Sequence, residues 1–187
     1  MTIRTGSLLL LCCAPFTFAE RGLIDNNGLF VRVGAGFAPI FVEEVVVDNV
    51  LASGATVTAF HSSVHAGSVF NDFYAVYAMA EHNWYIDSEQ RIYNTGLVGL
   101  GGTYFIPELY GLYLNAGAGL ATKVIFGADA SASGFGLQLG VGRPLTDHIV
   151  LDVNYNYLSL SSVANPAANG DIETISSVQF TFSYQWY

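Results

Sequence analysis

The last ten residues of the chain, VQFTFSYQWY, alternate between large apolar and small polar side chains. A period of two is typical of a β-strand whose two faces meet different environments. The apolar face carries Val178, Phe180, Phe182, Tyr184 and Trp186. The opposite face carries Gln179, Thr181, Ser183 and Gln185. The same alternation recurs in LFVRVGAGF, LYGLYLNAGAGL, GFGLQLGVG and IVLDVNYNY, at 29–37, 109–120, 134–142 and 149–157. These five segments are predicted to be strands.

Three further strands are predicted with a weaker pattern, at 56–70, 73–84 and 95–105. The first places Phe60, Val64 and Phe70 opposite His61, Ser63 and His65. The second is apolar on both faces and the third is rich in glycine, so their facing stays open. Long connections fall at 39–56, 85–93, 122–133 and 160–171, and short ones at 71–72, 107–108 and 143–147. This rhythm predicts an eight-stranded antiparallel meander with its long loops at one end.

The composition of the chain indicates whether the apolar faces contact lipid or a soluble protein core. The chain is 52% hydrophobic and only 11% charged, with a mean hydropathy of +0.42, whereas soluble domains are about 25% charged. It has no run of about 20 apolar residues that would form a membrane helix. The polar faces are small and uncharged, mostly Gly, Asn, Ser and Gln, which suits the inside of a narrow closed barrel better than the surface of a soluble sandwich. We therefore predict an all-β, eight-stranded, antiparallel up-and-down transmembrane β-barrel whose aromatic faces meet lipid.

The first residues have the pattern of a signal peptide. Arg4 precedes a short apolar core at 7–16, and small residues lead to a predicted cleavage between Ala19 and Glu20. The domains are thus a signal peptide at 1–19, which removes both Cys12 and Cys13, and a barrel at 20–187. Without Arg4, the mature chain has 6 − 1 = 5 basic residues against 15 acidic ones. This acidic balance excludes nucleic acid as a partner, because phosphate binding needs clustered Lys and Arg.

The turn GRPLTDH at 142–148 and the strand IVLDVNYNY after it resemble the third periplasmic turn of small outer-membrane barrels of the OmpA, OmpX and opacity-protein type. In that group a terminal aromatic residue, with apolar residues at alternating positions before it, is read by the barrel-assembly machinery. Trp186 matches this residue, and Tyr187 extends one position beyond it. The resemblance implies a Gram-negative outer-membrane location, contact with lipid and lipopolysaccharide, and a structural or adhesive role.

The inward faces carry the candidate functional residues. A charge inside so narrow a barrel needs a partner, so we predict a polar network that plugs the lumen. Its members are Arg32, Asp152, Asn154, Gln138, Asn115, His61 and His65, with Glu81 as a further inward carboxylate if its strand faces that way. The alternative is a small-solute or hydrophobic-compound channel of the OmpW type, which the small polar lining disfavours.

Catalysis is the other alternative. His61 and Ser63 form a His-x-Ser pair, the pairing that activates serine in some outer-membrane lipid A deacylases. Here both residues are predicted to point inward, and the late strand NYNYLSLSS has no histidine, so we predict no enzymatic activity. Two histidines four apart on a strand lie about 13 Å apart, so we predict no metal site and no cofactor.

The predicted external loops are acidic. Their carboxylates are Glu43, Glu44, Asp48, Asp87, Glu89, Asp129, Asp171 and Glu173. These side chains either solvate the loops or meet a cation-bridged lipopolysaccharide layer or a neighbouring surface.

Overall fold

The computed structural model describes residues 28–45, 55–70, 73–86, 90–109, 111–127, 131–162 and 172–187. They form eight strands: β1 (Leu29–Val45), β2 (Ala55–Phe70), β3 (Tyr74–Ile86), β4 (Ile92–Ile106), β5 (Leu112–Ile125), β6 (Ser131–Pro144), β7 (Ile149–Ser162) and β8 (Ile172–Trp186). A short 3-10 turn, Pro107–Leu109, joins β4 to β5. No helix among these residues is long and apolar enough to cross a membrane. The predicted signal peptide lies outside the described residues.

The sheet is a closed barrel in which each strand pairs antiparallel with the next and β1 pairs with β8. Following hydrogen-bonded partners once around from Ala35 leads back to Val45, which gives a shear of 45 − 35 = 10 residues. For eight strands this shear corresponds to a strand tilt of about 41° and a backbone radius of about 8 Å. The predicted fold class is confirmed.

Alternation along every strand sends one set of side chains to lipid. Val33, Phe37, Phe182, Tyr184 and Trp186 are exposed on the outer wall, whereas Gln179, Thr181, Ser183 and Gln185 are buried inside. The structure gives the facing of β3 and β4, which the sequence leaves open. In β3 the inward residues are Ala75, Tyr77, Met79, Glu81, Asn83 and Tyr85, and in β4 they include Thr95, Leu97, Thr103 and Phe105.

The apolar belt has the height of a bilayer core. Each residue of a strand tilted by about 41° rises about 2.5 Å along the barrel axis, and each paired neighbour is offset by about 1.25 residues. By this measure the exposed aromatic rings of Trp186 and Tyr104, near the short turns, lie about 21–24 Å below those of Trp84 and Phe135. The lipid-facing band of such barrels is about 25 Å tall, so the belt has nearly the usual height.

The strands extend beyond this belt, which corrects the predicted loop boundaries. β1 continues to Val45 and β2 begins at Ala55, so half of the predicted first loop at 39–56 is strand. Glu43 and Glu44 are therefore strand residues of β1, paired with β8, and Glu173 is a strand residue of β8. The remaining predicted loop carboxylates, Asp48, Asp87, Glu89, Asp129 and Asp171, lie outside the described residues.

Candidate functional site: the lumen network

Side chains fill the lumen in three layers. At the short-turn end an apolar floor contains Phe30, Val69, Ala75, Phe105 and Val150, and at the long-loop end an apolar cap contains Ala38, Ile40, Ala59, Leu97, Ala121, Leu158, Leu160 and Ile175. Between them lies a polar middle layer. The inward face was predicted to be small and polar, and this prediction is wrong at both ends of the lumen. The inward residues of the cap lie in segments that the sequence analysis partly assigned to loops or left without a facing.

Arg32 organises the lower part of the polar layer. Its Nε donates a hydrogen bond to Oε1 of Gln185 at 2.9 Å, and one terminal nitrogen donates to the hydroxyl of Tyr113 at 3.0 Å. The same nitrogen lies 3.5 Å from a carboxylate oxygen of Asp152. The hydroxyl of Tyr113 donates in turn to Asp152. The guanidinium also lies over the rings of Phe30 and Tyr113, at 5.8 and 5.5 Å from their centroids, so this buried charge has a counter-ion, neutral acceptors and π-faces around it.

Glu81 organises the upper part. It is 1% exposed, and three side chains from three other strands meet its carboxylate. Gln138 donates from Nε2 at 2.5 Å, Asn156 donates from Nδ2 at 3.0 Å, and Nε2 of His65 lies 3.2 Å away. Glu81 is thus a centre of the network. Its inward orientation was only one of two possibilities in the sequence, because the pattern of β3 is apolar on both faces.

Amide pairs complete the layer. Nδ1 of His61 lies 2.8 Å from Oδ1 of Asn83, which also accepts from Gln179 at 3.3 Å. Asn115 donates to Asn154 at 3.0 Å. The seven lumen residues selected from the sequence, Arg32, Asp152, Asn154, Gln138, Asn115, His61 and His65, are all at most 7% exposed. Tyr113, Asn156 and Gln185 were not predicted as members, although the alternation placed each of them on the face opposite the lipid-facing one. Asn83 lies on β3, whose facing the sequence leaves open.

The His-x-Ser pair lies within this layer. His61 and Ser63 are both buried on the inner face of β2, as the alternation predicts. The side chain that His61 contacts through Nδ1 is the amide of Asn83, whereas a serine nucleophile needs a histidine that contacts the hydroxyl and is oriented by a carboxylate. Among the described residues, no group of three or more His, Cys, Asp and Glu side chains has the geometry to hold a metal ion.

One ion pair lies at the long-loop end of the lumen. Nζ of Lys123 on β5 is 2.5 Å from a carboxylate oxygen of Glu173, and both side chains are partly buried. Lys123 also lies 5.6 Å from the ring centroid of Tyr93, which stacks on Tyr85. Glu173 is therefore a paired residue of the barrel mouth.

A closed eight-stranded barrel with a lipid-facing apolar belt and a filled lumen defines the class: a small membrane-embedded β-barrel protein. The chain belongs to the outer membrane protein beta-barrel domain family, whose model matches residues 8–185. No curated protein matches the chain. Among solved structures, it is similar to Ail, the attachment invasion locus protein of Yersinia pestis, with a TM-score of 0.55 and 17% identity over 84% of this chain and 98% of that one. It is also similar to Neisserial surface protein A, with a TM-score of 0.53 and 14% identity over 84% of this chain and 95% of that one. These findings support an outer-membrane location.

Proposed function

We propose that the protein is a non-conducting outer-membrane barrel that acts through its external surface, as a structural or surface-interaction protein, and that it has no enzymatic activity. The observation that carries this proposal is the filled lumen. A polar layer tied together by Arg32 and Glu81 lies between a floor and a cap of buried apolar side chains. A barrel with a backbone radius of about 8 Å has an interior that inward side chains can fill, which supports a closed lumen.

The experiment is conductance in planar bilayers. We expect the wild-type barrel to give no stable ohmic channel. A double variant of the cap, Leu158→Gly with Leu160→Gly, removes two large side chains that are 2% and 0% exposed and should raise the frequency of small openings. Stable porin-like steps from the wild-type protein, at a frequency unaffected by the cap variant, would contradict the proposal.

A role at the external surface is supported by the acidic sequence at the long-loop end and by the two similar structures, whose names describe an attachment protein and a surface protein. Ail has also been solved with the heparin analogue sucrose octasulfate. A sulfated polyanion does not suit this chain, because its net charge is −9 with only six Lys and Arg and such a ligand needs clustered cations. Exchange of 46–54 or 163–171 for neutral linkers should reduce cell-surface attachment while the barrel still folds. Unchanged attachment and permeability would count against a surface role.

A hydrophobic-compound channel is the second candidate, and the apolar cap and floor are the observation that favours it. In this reading the side chains around Ile40 and Ile175 would part to admit a ligand. Uptake of a hydrophobic dye into vesicles separates the two proposals, since only the channel predicts uptake that depends on the protein. The lack of enzymatic activity is tested separately, by mass spectrometry of lipid A from cells with and without the protein.

A further inference from the structure

The lipid-facing belt is short along β6, β7 and β8, which we call the short wall. On β8 its outward apolar residues run from Trp186 to Val178, after which Ser176 follows. On β7 they run from Ile149 to Tyr157, after which Ser159 follows. Each run extends over eight residue spacings (186 − 178 and 157 − 149), which is about 20 Å along the barrel axis.

On β6 the belt is shorter still. Its outward apolar residues run from Phe135 to Val141, over about 15 Å. Ser133 precedes this run on the long-loop side, and Arg143 follows it on the short-turn side with the same outward register. A long cationic side chain keeps its charge in water, so Arg143 marks the lower edge of the belt at this strand.

The belt is taller along β3, β4 and β5, which we call the tall wall. On β3 its outward run extends from Tyr74 to Ile86, and on β4 from Tyr104 to Ile92. Both ends of each run are exposed. Each run extends over twelve residue spacings (86 − 74 and 104 − 92), which is about 30 Å. The upper ends of the runs on β1 and β2, Phe41 and Phe60, lie below those of the tall wall.

The difference between β3 and β4 on one side and β7 and β8 on the other lies at the upper edge. Along the barrel axis, the lower ends of these four runs lie within about 3 Å of one another. The upper ends on β3 and β4 lie about 7–12 Å above those on β7 and β8. A rigid tilt of an even belt would displace both edges, so the difference belongs to the belt itself.

Polar side chains within the tall wall are covered by aromatic rings. Asn94 on β4 has the outward register but is only 6% exposed. The rings of Trp84 on β3 and of Phe126, which follows β5, stack with their centroids 6.0 Å apart. Nδ1 of His82 lies 3.1 Å from Oδ1 of Asn94, and the His82 ring lies 6.0 Å from that of Trp84. The surface that this part of the wall presents is therefore mainly aromatic.

Hydrocarbon is the environment that suits the upper part of the tall wall, which continues the lipid-facing belt upward. Its exposed large residues are Trp84, Ile86, Ile92, Val124 and Phe126. No Asp, Glu, Lys or Arg among the described residues of β3, β4 and β5 has the outward register. Leaving apolar side chains in water is unfavourable in proportion to their exposed area, whereas a bilayer adjusts its local thickness to a protein at a modest cost.

We propose that the barrel is embedded in a bilayer of uneven thickness, in which hydrocarbon reaches Ile86 and Ile92 on the tall wall and stops about 10 Å lower on the short wall. The usual lipid-facing band is about 25 Å tall, so acyl chains are extended beside β3 to β5 and shortened or disordered beside β6 to β8. The proposal rests on the membrane location and not on a closed lumen. A conducting barrel would leave the two walls unchanged, and a failure of the depth measurement would leave the conductance result unchanged.

The experiment is a depth measurement with nitroxide labels on the barrel in vesicles of dioleoyl phosphatidylcholine. Ile92→Cys and Ser161→Cys each provide one labelling position, with Cys12 and Cys13 replaced by serine. Both positions are exposed, on β4 and β7, and their heights agree within about 1 Å. Oxygen collects in hydrocarbon and a nickel chelate stays in water, so the ratio of their collision rates with the label reports its environment. That ratio should be at least tenfold higher for Ile92→Cys than for Ser161→Cys.

Tyr104→Cys and Ile149→Cys are matched controls at the lower edge of the belt. Both residues are exposed, one on each wall, at heights that agree within about 1 Å. Their two ratios should therefore be equal. Unequal ratios at this edge would mean that a belt of even height is tilted, and would overturn the proposal.

Folding of every variant is checked by its heat-modifiable migration on gels, and Ile86→Cys repeats the measurement on β3 if Ile92→Cys does not fold. The proposal is overturned if the labels at 92 and 161 are equally accessible to the nickel chelate. It is also overturned if the label at 92 is shielded from both reagents, because a protein contact and not hydrocarbon would then cover the tall wall.

Discussion

The carboxylate of Glu81 provides the most direct test of the lumen network. Substitution by alanine removes the acceptor that faces Gln138 at 2.5 Å, Asn156 at 3.0 Å and His65 at 3.2 Å. All four side chains, Glu81 included, are buried, and they come from four different strands. The change therefore leaves donors unpaired across most of the barrel interior.

The expected loss follows from those contacts. Each buried donor left without a partner costs about 1–3 kcal/mol, and removal of one member of a buried charged cluster typically costs about 3–5 kcal/mol. Water that enters the vacated space replaces part of the lost bonding. We therefore expect Glu81→Ala to lower the free energy of unfolding by about 3–5 kcal/mol. Glu81→Gln keeps one carbonyl acceptor in nearly the same volume and should cost less.

The free energy of unfolding is measured by urea titration of the barrel in lipid vesicles. The two tryptophans of the chain report the transition, because Trp84 and Trp186 are both exposed on the lipid-facing wall and their fluorescence changes when the barrel leaves the membrane. A loss below about 1 kcal/mol for Glu81→Ala, the cost of a minor surface contact, would refute the idea that this carboxylate holds the network together. So would a Glu81→Gln variant less stable than the alanine variant.

Two further predictions concern the seam between β1 and β8, which closes the barrel, and the buried pair of Arg32 and Asp152. Gly36→Ala places a Cβ 1.8 Å from the carbonyl oxygen of Phe180, so β1 and β8 should fail to pair and the heat-modifiable gel band should disappear. The control is Gly102→Ala, whose Cβ has its nearest contact at 3.5 Å and which should fold normally. Equal folding of the two variants would show that the β1–β8 seam tolerates the clash. Arg32→Met and Asp152→Leu should each lower the free energy of unfolding by about 3–5 kcal/mol. The double variant should lose less than the sum of the two single losses, because it leaves no buried charge without its counter-ion. Additive losses in the same urea assay would mean that the two side chains act independently.

The fold was predictable because every membrane-spanning strand of a barrel alternates between side chains that face lipid and side chains that face the lumen. In β1 and β8 a large apolar residue alternates with a small or polar one, so the lipid-facing set of Phe182, Tyr184 and Trp186 follows from the sequence alone. Closure follows as well, since a sheet in hydrocarbon cannot leave an edge unpaired. The same reasoning places Arg32 and Asp152 inside, where they do meet.

The facing of β3 was not predictable, and the centre of the network depends on it. Its inward residues Tyr77 and Met79 are as apolar as its outward residues Val76 and Ala78, because part of the lumen is itself apolar. Facing is decided across strands, where Glu81 pairs with the buried Ser63 of β2. A single sequence does not contain that register, so Glu81 remained an option.

The misplaced loop boundaries have a physical cause that bears on function. Within the bilayer the strands are apolar outside and polar inside. Above it the pattern inverts on some strands, among them β2 and β7, whereas β3 and β4 keep Ile86 and Ile92 exposed on the outer face. On β2, Thr56 and Thr58 face outward while Ala59 is buried, and on β7, Ser161 faces outward next to the buried Leu160. Such segments have the pattern of an ordinary water-facing barrel with an apolar core, so a search for apolar outward faces interprets them as polar loops.

This inversion also explains why the lumen is capped. Where the wall leaves the hydrocarbon, its outer face can be polar at no cost, and the apolar residues needed to hold the strands together must turn inward. Ile40, Leu158 and Ile175 then pack against one another, each at most 2% exposed, as the core of the protruding part of the barrel. The side chains that stabilise the external end are the ones that close the lumen, so a variant that opened a wide pore through the cap would also weaken the platform that carries the external loops.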